Sequence, residues 1–449
     1  MDFAKRAYDH SYHIDPIVRS LLDTDFYKLL MLQFIWKKYY YTRVSFSVTN
    51  RTKSVKLTNI IGIEDLRAQL EHVRTLRFRE SELVWLRGQS FYGQRGLFEE
   101  GFLDFLRTFQ LPEYTLDVEE KDGQPTGQFE LEFTGTWPET SMWEIYALEI
   151  INELRYRSIM KGMNRSQLDI TYARAKVKLY DKLTVLSKID GLNVTDFGTR
   201  RRHSFLWQEH CVVTAKEVLG DKFTGTSNAY LAMKYDLEAK GTNAHELPMV
   251  LAALATDDEG LKDAQYEVLR QWQNVYRGAL LVMLPDTFGT TQFLEGLGTA
   301  TAISWTGARP DSKKPIPGGE ELVEFWKRTD PAHAHEKLII FSDGMDVHLP
   351  GHTPHGEDIP TIHEHFKGRV RVGFGFGTNF TNDFVDCHPL DGEAMKPISL
   401  VCKVKTVEGR PAVKLSDNYT KATTGAPEEL ERYRRVFGSK GMADAPTLV

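Results

Sequence analysis

The chain has 449 residues, of which 26% are charged and 41% hydrophobic, and its formal net charge is −6. This composition excludes disordered and collagen-like chains, and the length predicts two domains, one of them large. Because the net charge is weakly negative, we expect no nucleic-acid or membrane partner, and local groups must hold any anionic ligand. The three cysteines lie far apart, which argues against a disulfide framework or a cysteine zinc site.

The N-terminal residues 1–22 mix charged and polar side chains throughout and lack the apolar core of a secretion signal. Apolar runs such as residues 247–255 are too short to span a bilayer. Since the cysteines are also few, the sequence predicts a cytoplasmic protein in a reducing compartment.

Two helices are predicted in the first third of the chain and one near its end. Polar capping residues at Asp23 and Asp25 precede apolar residues at helical spacing from Phe26, so we expect a helix to begin there. Helical patterns also cover residues 143–154 and 428–435.

Strands are predicted in the same part of the chain. Hydrophobic residues alternate with polar ones at residues 44–48, 114–118 and 129–133, and the last two runs flank the turn residues Asp122 and Gly123. This pattern predicts antiparallel strands that include a hairpin.

The C-terminal part returns to strand-like alternation at residues 400–404 and 413–415, which predicts a hairpin that rejoins the N-terminal sheet. We therefore expect an N-terminal α+β domain over residues 1–145, completed by residues 396–449. Residues 146–395 are expected to form the second domain.

From about residue 185 the chain repeats a short β-prone run that ends in Gly, Thr, Ser, Asn, Asp or Arg and is followed by a helix-compatible stretch. Parallel strands joined by helices bring such ends to one face, so the repeat predicts an α/β barrel with one shared site. These residues are also common in turns and caps, which is the alternative for any single cluster. The seven units are residues 194–200, 223–228, 241–245, 280–286, 300–309, 338–343 and 370–378.

Chemically distinctive residues stand at the ends of these units. His245 could act as a nucleophile or in acid–base chemistry, although a lone histidine is more often structural. In the triplet Arg200 to Arg202, at least one guanidinium could face an anion while others form ion pairs. Arg309, Asp311 and Ser312 combine a cation, a carboxylate and a hydroxyl that could hold an anion beside a sugar diol.

Two later clusters add candidate ligands for sugar and phosphate. Asp343 offers a carboxylate for ribose hydroxyls or Mg²⁺. The glycines at 373, 375 and 377, followed by Thr378, would let the backbone approach phosphate closely, although their spacing is not a dinucleotide fingerprint.

A histidine-rich segment is an alternative metal site, although proline-rich loops often carry unliganded histidines. His333 and His335 have the spacing seen in metal hydrolases but precede a strand, which puts them at the wrong end of a barrel. The histidines of the segment are His348, His352, His355, His363 and His365.

Taken together, these motifs resemble the nicotinate phosphoribosyltransferase family over residues 21 to about 421. The resemblance implies an irregular α/β barrel of fewer than eight regular units on an α+β domain completed by the C-terminal hairpin. The matching pieces are residues 22–28, 196–201, 225–228, 241–246, 341–343, 375–378 and 414–417.

The family's activity is the ATP-coupled transfer of phosphoribosyl from 5-phosphoribosyl 1-pyrophosphate to nicotinate. The resemblance implies that His245 is transiently phosphorylated by ATP, and that Tyr27 stacks on nicotinate from the neighbouring subunit of a homodimer. The products would be nicotinate mononucleotide, diphosphate, ADP and phosphate, in the first step of NAD salvage from nicotinate.

The resemblance also assigns substrate contacts. Besides Tyr27, the nicotinate contacts are Thr242, Arg309, Phe197 and Arg200. Mg²⁺ would arrive with the substrate, with Asp311 and Asp343 as candidate contacts, and no tightly bound metal is expected. The implied contacts of phosphoribosyl pyrophosphate are Thr378, Gly375, Gly377, Asp311, Ser312, Asp343, Ser227 and Asn228.

One departure from the family pattern keeps alternatives open. Lys313 and Lys314 replace the usual glycine and carboxylate, which removes a candidate ribose or Mg²⁺ ligand and adds positive charge near the pyrophosphate. The alternatives are a non-catalytic nucleotide-binding paralogue, a nicotinamide-using relative, which Arg309 and Arg200 argue against, and a metal-dependent hydrolase that uses the histidine-rich segment.

Overall fold

The computed structural model describes residues 2–9, 16–90, 96–351, 354–418 and 425–443. Its strands are Arg43–Asn50 (β1), Tyr114–Lys121 (β2), Gln124–Thr136 (β3), Val194–Asp196 (β4), Phe223–Thr226 (β5), Val282–Met283 (β6), Gly307–Ala308 (β7), Leu338–Phe341 (β8), Met345–Asp346 (β9), Glu357–Asp358 (β10), Arg371–Phe376 (β11), Leu400–Val407 (β12) and Arg410–Pro411 (β13).

The α-helices are Phe3–Asp9 (α1), Phe26–Lys38 (α2), Ile63–Thr75 (α3), Glu80–Arg87 (α4), Glu100–Thr108 (α5), Trp137–Ser141 (α6), Trp143–Lys161 (α7), Arg165–Ser187 (α8), Phe205–Leu219 (α9), Ala229–Tyr235 (α10), Glu246–Leu254 (α11), Asp258–Val275 (α12), Thr290–Gly296 (α13), Thr299–Ser304 (α14), Pro315–Thr329 (α15), Ile359–Phe366 (α16), Thr378–Thr381 (α17) and Pro427–Phe437 (α18). None of these helices is both long and apolar enough to cross a membrane.

An antiparallel sheet joins the two ends of the chain, in the strand order β13-β12-β1-β3-β2. The hairpin β2–β3 turns through Asp122 and Gly123, whose φ angles of 53° and 72° suit the right-handed twist of the strands. Strand β12 pairs with β1, for example Cys402 with Val48. The predictions of the hairpin and of the C-terminal return to this sheet are therefore confirmed.

The last predicted strand is wrong in its position. The ladder between β12 and β13 ends at Pro411, and residues 413–415 form no strand. Instead, the backbone N–H groups of Leu415 and Ser416 both donate to the carbonyl oxygen of Thr287, at 3.0 Å each. The chain thus leaves the antiparallel sheet and packs against the segment that follows β6.

A second sheet is parallel and contains six strands, in the order β5-β4-β11-β8-β7-β6. Helices α9, α15 and α16 connect successive neighbours, as expected of βα units. This is the irregular, incomplete α/β barrel that the sequence predicts. The domain boundary predicted at residue 145 falls inside α7 and stays a prediction.

One of the seven predicted strand units is wrong, because residues 241–245 form no strand. A single parallel bridge joins Thr226 to Ala239 just before this segment. A Cβ atom on Gly241 would lie 2.5 Å from the backbone nitrogen of Tyr27, so the start of α2 packs directly against the segment. Helix α2 therefore occupies the position where a strand partner would pair.

Candidate active site

A cavity of about 1280 Å³ lies at the carboxyl ends of the parallel strands and extends to the antiparallel sheet. Polar loops after β4, β5, β8 and β11 converge there, as expected for parallel strands joined by helices. The predicted site residues on its wall are Tyr27, Phe197, Arg200, Ser227, Thr242, His245, Arg309, Asp311, Asp343, Gly377 and Thr378.

Three predicted site residues are absent from the described wall of this cavity: Asn228, Ser312 and Gly375. The side chain of Asn228 caps α10 at the backbone nitrogen of Leu231, 3.0 Å away, and Ser312 Oγ exchanges hydrogen bonds with Asp417. These hydrogen bonds give Asn228 and Ser312 a structural role. The contacts of all three residues to phosphoribosyl pyrophosphate stay predictions.

The turn after β4 positions Phe197 and Arg200. The buried carboxylate of Asp196 accepts hydrogen bonds from Gly198 N at 2.8 Å and from Thr226 Oγ1 at 2.7 Å, which ties this turn to β5. A Cβ atom on Gly375 would lie 2.3 Å from the ring of Phe197, so glycine is required for the ring to fit against β11.

The arginine triplet divides in the way the sequence suggests. Arg202 is fully buried and donates to both carboxylate oxygens of Asp23, at 2.7 and 2.8 Å, so it holds the fold together. Arg200 and Arg201 instead line the cavity. Burial lowers the pKa of Arg201 to about 10, with the charge of Arg200 acting in the same direction and Asp343 opposing it. This wall therefore concentrates positive charge at the cavity.

Tyr27 lies on the cavity wall of its own chain, and its Oη has no hydrogen-bond partner among the described residues. The expectation that Tyr27 reaches the site of a neighbouring subunit stays a prediction, while the Tyr27 of this chain lines the chain's own cavity. The contact between Gly241 and the backbone of Tyr27 fixes α2 beside the loop that carries Thr242.

A buried ion-pair network connects the sequence neighbours of Tyr27 and His245. Lys28 Nζ lies 2.5 Å from Glu246 Oε2 and 2.7 Å from Glu144 Oε2. Burial alone would lower the pKa of Lys28, but the two carboxylates raise it above its ordinary value, so the lysine is charged. The network holds the first turns of α2 and α11 together.

His245 lies at the start of α11, between two polar groups. Its Nδ1 is 2.9 Å from Thr287 Oγ1 and its Nε2 is 3.3 Å from Asp311 Oδ2. Burial, followed by the positive charge of Lys414, lowers the pKa of His245 to about 4. The ring is therefore neutral near pH 7 and carries the lone pair that a nucleophile requires.

Two carboxylates face the His245 ring. Burial would raise the pKa of Asp311, but the hydrogen bond with His245 and the charges of Arg309 and Lys414 hold it well below its ordinary value. Asp286 is fully buried, and neither of its carboxylate oxygens has a hydrogen-bond partner among the described residues. Asp286 Oδ2 lies 3.7 Å from His245 Nε2 and 4.0 Å from Lys414 Nζ.

The donor set of His245, Asp286 and Asp311 fits a divalent cation, because their ligand atoms lie within 4.8 Å of one another. Carboxylate oxygens are the ligands that Mg²⁺ prefers, and the Asp286 oxygens lack other partners in the described chain. The sequence paired Asp311 with Asp343 for this role, whereas the structure groups Asp311 with Asp286.

Arg309 and Thr242 face the cavity near this centre. Arg309 donates from NH2 to the carbonyl oxygen of Asn243 at 2.8 Å, and its buried Nε has no partner among the described residues. An unsatisfied buried guanidinium N–H favours a carboxylate-bearing ligand.

The charge expected from Lys313 and Lys314 is directed away from the cavity. Lys313 Nζ pairs with Glu321 and donates to Thr291 Oγ1 at 3.0 Å, and Lys314 is exposed at the start of α15. Neither lysine is on the described cavity wall. The predicted positive charge beside the pyrophosphate stays a prediction, and the ion pair with Glu321 accounts for the orientation of Lys313.

The histidine-rich segment forms no metal cluster in the described part of the chain. His348 bonds the carbonyl oxygen of Gly356, His363 bonds that of Asp190, and His365 pairs with Glu320. His352 lies outside the described residues. Three of the four described histidines of the segment therefore have structural partners, which weakens the hydrolase alternative.

Sequence reasoning missed several residues of the site. Asp286 ends one of the predicted strand units and Lys414 opens a motif that carried the family resemblance, so both signals were visible but had no assigned role. Arg51 and Lys403, on the cavity wall from the antiparallel sheet, stood in no recognisable motif.

Comparison with known proteins gives one family. Residues 192–440 match the model of the nicotinate phosphoribosyltransferase (NAPRTase) family, and residues 22–152 match the model of its N-terminal domain. The chain is similar to a nicotinate phosphoribosyltransferase from Porphyromonas gingivalis at 27% identity, with a TM-score of 0.78 and coverage of 94% of this chain and 100% of the other. It is also similar to one from Vibrio cholerae at 27% identity, with a TM-score of 0.81 and coverage of 95% of both chains.

Proposed function

Because the chain belongs to the nicotinate phosphoribosyltransferase family, we propose that it transfers phosphoribosyl from 5-phosphoribosyl 1-pyrophosphate to nicotinate, giving nicotinate mononucleotide and diphosphate. The observation that carries the proposal is that one cavity combines Arg309, the aromatic rings of Tyr27 and Phe197, and the neutral His245. The Nε group of Arg309 has no partner among the described residues and can donate to a carboxylate.

In the proposed transfer, the ring nitrogen of nicotinate attacks the anomeric carbon as the bond to diphosphate breaks and its electron pair leaves with diphosphate. Positive charge develops on the ribose and negative charge on the leaving group. Arg51, Arg201 and Lys403 on the cavity wall supply fixed positive charge for the leaving diphosphate. Arg309 and Thr242 orient the nicotinate carboxylate, and Tyr27 stacks on the ring.

ATP coupling is the finer part of the proposal. A lone pair of the neutral His245 ring attacks the γ-phosphorus of ATP, ADP leaves, and water later hydrolyses the phosphohistidine to phosphate. Lys414 and Thr287 stand beside the ring and support this role. Mg²⁺ would be held by Asp286 and Asp311 and would neutralise phosphate oxygens when bound.

The proposal extends to the setting of the protein. The described cysteines Cys211, Cys387 and Cys402 are free and buried, which supports a cytoplasmic, reducing location. We also propose a homodimer with shared active sites, and light scattering of the purified protein at several concentrations tests the dimer. A monomer at every concentration would contradict the dimer.

The assay that tests the activity measures nicotinate mononucleotide and diphosphate formed from phosphoribosyl pyrophosphate with nicotinate or with nicotinamide. We expect turnover with nicotinate and a kcat/KM for nicotinamide at least tenfold lower, because Arg309 and Arg200 present cations to the ring substituent. Binding of both substrates without product would favour the non-catalytic paralogue. Preference for nicotinamide would favour the nicotinamide-using alternative.

A further inference from the structure

The inner face of the parallel strands is open along much of its length. In a closed α/β barrel, inward-facing side chains normally fill the axis. On β8, however, Leu338 and Ile340 are partly exposed and line the cavity, whereas the alternate residues Ile339 and Phe341 are buried. The cavity therefore continues from the carboxyl ends of the strands into the barrel.

Glycines on β11 account for this open space. Val372 and Phe374 are buried, although both also contribute to the cavity wall, and Gly373 and Gly375 alternate with them along the strand. The position that a Cβ atom of Gly375 would take is filled by Phe197, but a Cβ atom on Gly373 would meet no atom within 4 Å. Glycine at 373 thus leaves the axis hollow below the Phe197 ring.

The same cavity reaches the amino ends of three neighbouring strands. Exposed residues that precede these strands line it: Asp190, Gly191 and Asn193 before β4, Gly220 and Asp221 before β5, and Lys367 and Gly368 before β11. Its volume of about 1280 Å³ also exceeds the range of about 300–1,000 Å³ that is usual for ligand pockets. The cavity is therefore a passage with two mouths.

The two mouths differ in charge. At the carboxyl-end mouth, Arg51, Arg201 and Lys403 favour the pyrophosphate of the larger substrate, which would then cover this opening. Between the mouths, Thr195 and Thr224 share a hydroxyl hydrogen bond of 2.8 Å and, with the aliphatic residues of β8, give an uncharged wall.

The amino-end mouth carries both signs of charge. Arg371, Lys216 and Lys367 provide cationic groups for a carboxylate, beside Asp190 and Asp221. The uncharged section above them suits a small planar ring better than it suits a polyphosphate, because burying a polyanion against neutral groups is costly.

We propose that the hollow axis of the barrel is a second route by which nicotinate, a small planar aromatic carboxylate, reaches its binding residues when a pyrophosphate group covers the carboxyl-end mouth. This inference rests on the proposed function, because it takes nicotinate as the substrate. It assigns Gly373 the role of keeping the route open, with no contact to the reacting atoms.

Stopped-flow measurement of nicotinate association tests the route, with inorganic diphosphate as the probe that covers the carboxyl-end mouth. In the unaltered protein, association should remain within about threefold when diphosphate is saturating. In Gly373→Leu, association to the free protein should be unchanged, but association to the diphosphate-saturated protein should fall at least tenfold. The equilibrium Kd for nicotinate should change less than twofold.

Two further variants complete the test. Gly298→Leu is the matched control, because a Cβ atom there also meets nothing within 4 Å and Gly298 is not on the described cavity wall. Thr224→Leu narrows the passage from another strand and replaces Gly373→Leu if that variant does not fold, as judged by its melting temperature.

Several outcomes would overturn the route. If diphosphate blocked nicotinate association in the unaltered protein, nicotinate would enter the cavity through the carboxyl-end mouth alone. If association were unchanged in the narrowed variants, nicotinate would not use the barrel axis. A matching loss of equilibrium affinity would make Gly373 part of a binding site instead. Absence of turnover in the unaltered protein would count against the proposed function, whereas normal turnover without these association effects would count against the route alone.

Discussion

Arg309 offers the sharpest test of a single residue, because its buried Nε has no partner in the described chain. Charge-assisted hydrogen bonds are worth about 1.5–3 kcal/mol, so Arg309→Leu should lower kcat/KM for nicotinate about 10- to 100-fold. The loss for nicotinamide should be much smaller, since the neutral amide lacks the carboxylate charge. Steady-state kinetics with both bases, beside the exposed-residue control Arg328→Leu, checks this; equal losses for both bases would contradict the role.

Lys313 gives the opposite expectation. Because its ammonium group pairs with Glu321 on the outer side of the barrel, Lys313→Met should leave the KM for phosphoribosyl pyrophosphate within about threefold. The free energy of unfolding should fall by roughly 1–3 kcal/mol, since Glu321 loses a charged partner. Denaturant unfolding and steady-state kinetics measure the two quantities. A large change in this KM with unchanged stability would place Lys313 in the site after all.

For single residues, the sequence predicted which polar side chains follow strands, but not which of them also form hydrogen bonds within the fold. His245 and Tyr27 were recognisable from motifs and lie on the cavity wall. Asn228 and Ser312 belong to equally good motifs, yet they bond a helix cap and Asp417. A motif does not reveal which way a side chain points, so the sequence could not separate the two groups.

At the scale of elements, the ion pairs of Lys28 join α2 to α11 and so place Tyr27 beside the loop that carries His245. Lys28→Met would leave Glu246 without its cation inside the protein, whereas Glu144 would keep its ion pair with Arg200. Breaking a buried pair in this way typically costs about 3–5 kcal/mol, so the free energy of unfolding should fall by that amount. The KM for nicotinate should rise as well, because the Tyr27 ring loses its anchor.

The double variant Lys28→Met with Glu246→Gln is the matched control. It removes the charge of Glu246, the carboxylate that loses its lysine partner, so it should recover part of the lost stability. Urea unfolding of both variants measures this coupling. If Glu246→Gln lowered the stability of the Lys28→Met variant as much as it lowers that of the unaltered protein, the ion pair would not be the link between the two helices.

Element boundaries were predictable wherever local pattern decides structure. The turn at Asp122 and Gly123 followed from its turn residues, and α2 begins at Phe26 as predicted, although Asp25 makes no side-chain capping hydrogen bond. Residues 241–245 looked like a strand, but α2 packs against Gly241 and takes the place of a ladder partner. That contact joins segments more than 200 residues apart, and no local pattern in the sequence encodes it.

For the whole molecule, histidines with lowered pKa values contribute to the dependence of the free energy of unfolding on pH. Burial lowers the pKa of the fully buried His203 to about 3, and that of His245 to about 4. Unfolded histidines titrate near 6.5, so between about pH 6.5 and 4 the unfolded chain binds protons that the folded chain does not. The contribution of these two histidines to the free energy of unfolding therefore falls as the pH is lowered through this range, by about 1.4 kcal/mol per pH unit for each. Burial raises the pKa of Asp196 to about 6, so this carboxyl contributes in the opposite direction below pH 6.

Denaturant unfolding between pH 6.5 and 4.5 measures this slope, and His203→Phe isolates one contribution. The ring of His203 stacks on Phe384 with centroids 3.9 Å apart, so phenylalanine suits the site. The dependence of the free energy of unfolding on pH should be smaller in the variant by about 1.4 kcal/mol per pH unit, the contribution of one proton. An unchanged slope would mean that His203 is protonated in the folded protein.

We propose that His245 couples ATP to phosphoribosyl transfer, and the effect of ATP on turnover tests this role. Nicotinate mononucleotide formation is followed with and without ATP for the unaltered protein and for His245→Ala. ATP should accelerate turnover by the unaltered enzyme and should have no effect on the His245→Ala variant, which keeps its ATP-independent turnover. Equal acceleration of both proteins by ATP would contradict the phosphohistidine and remove His245 from the mechanism.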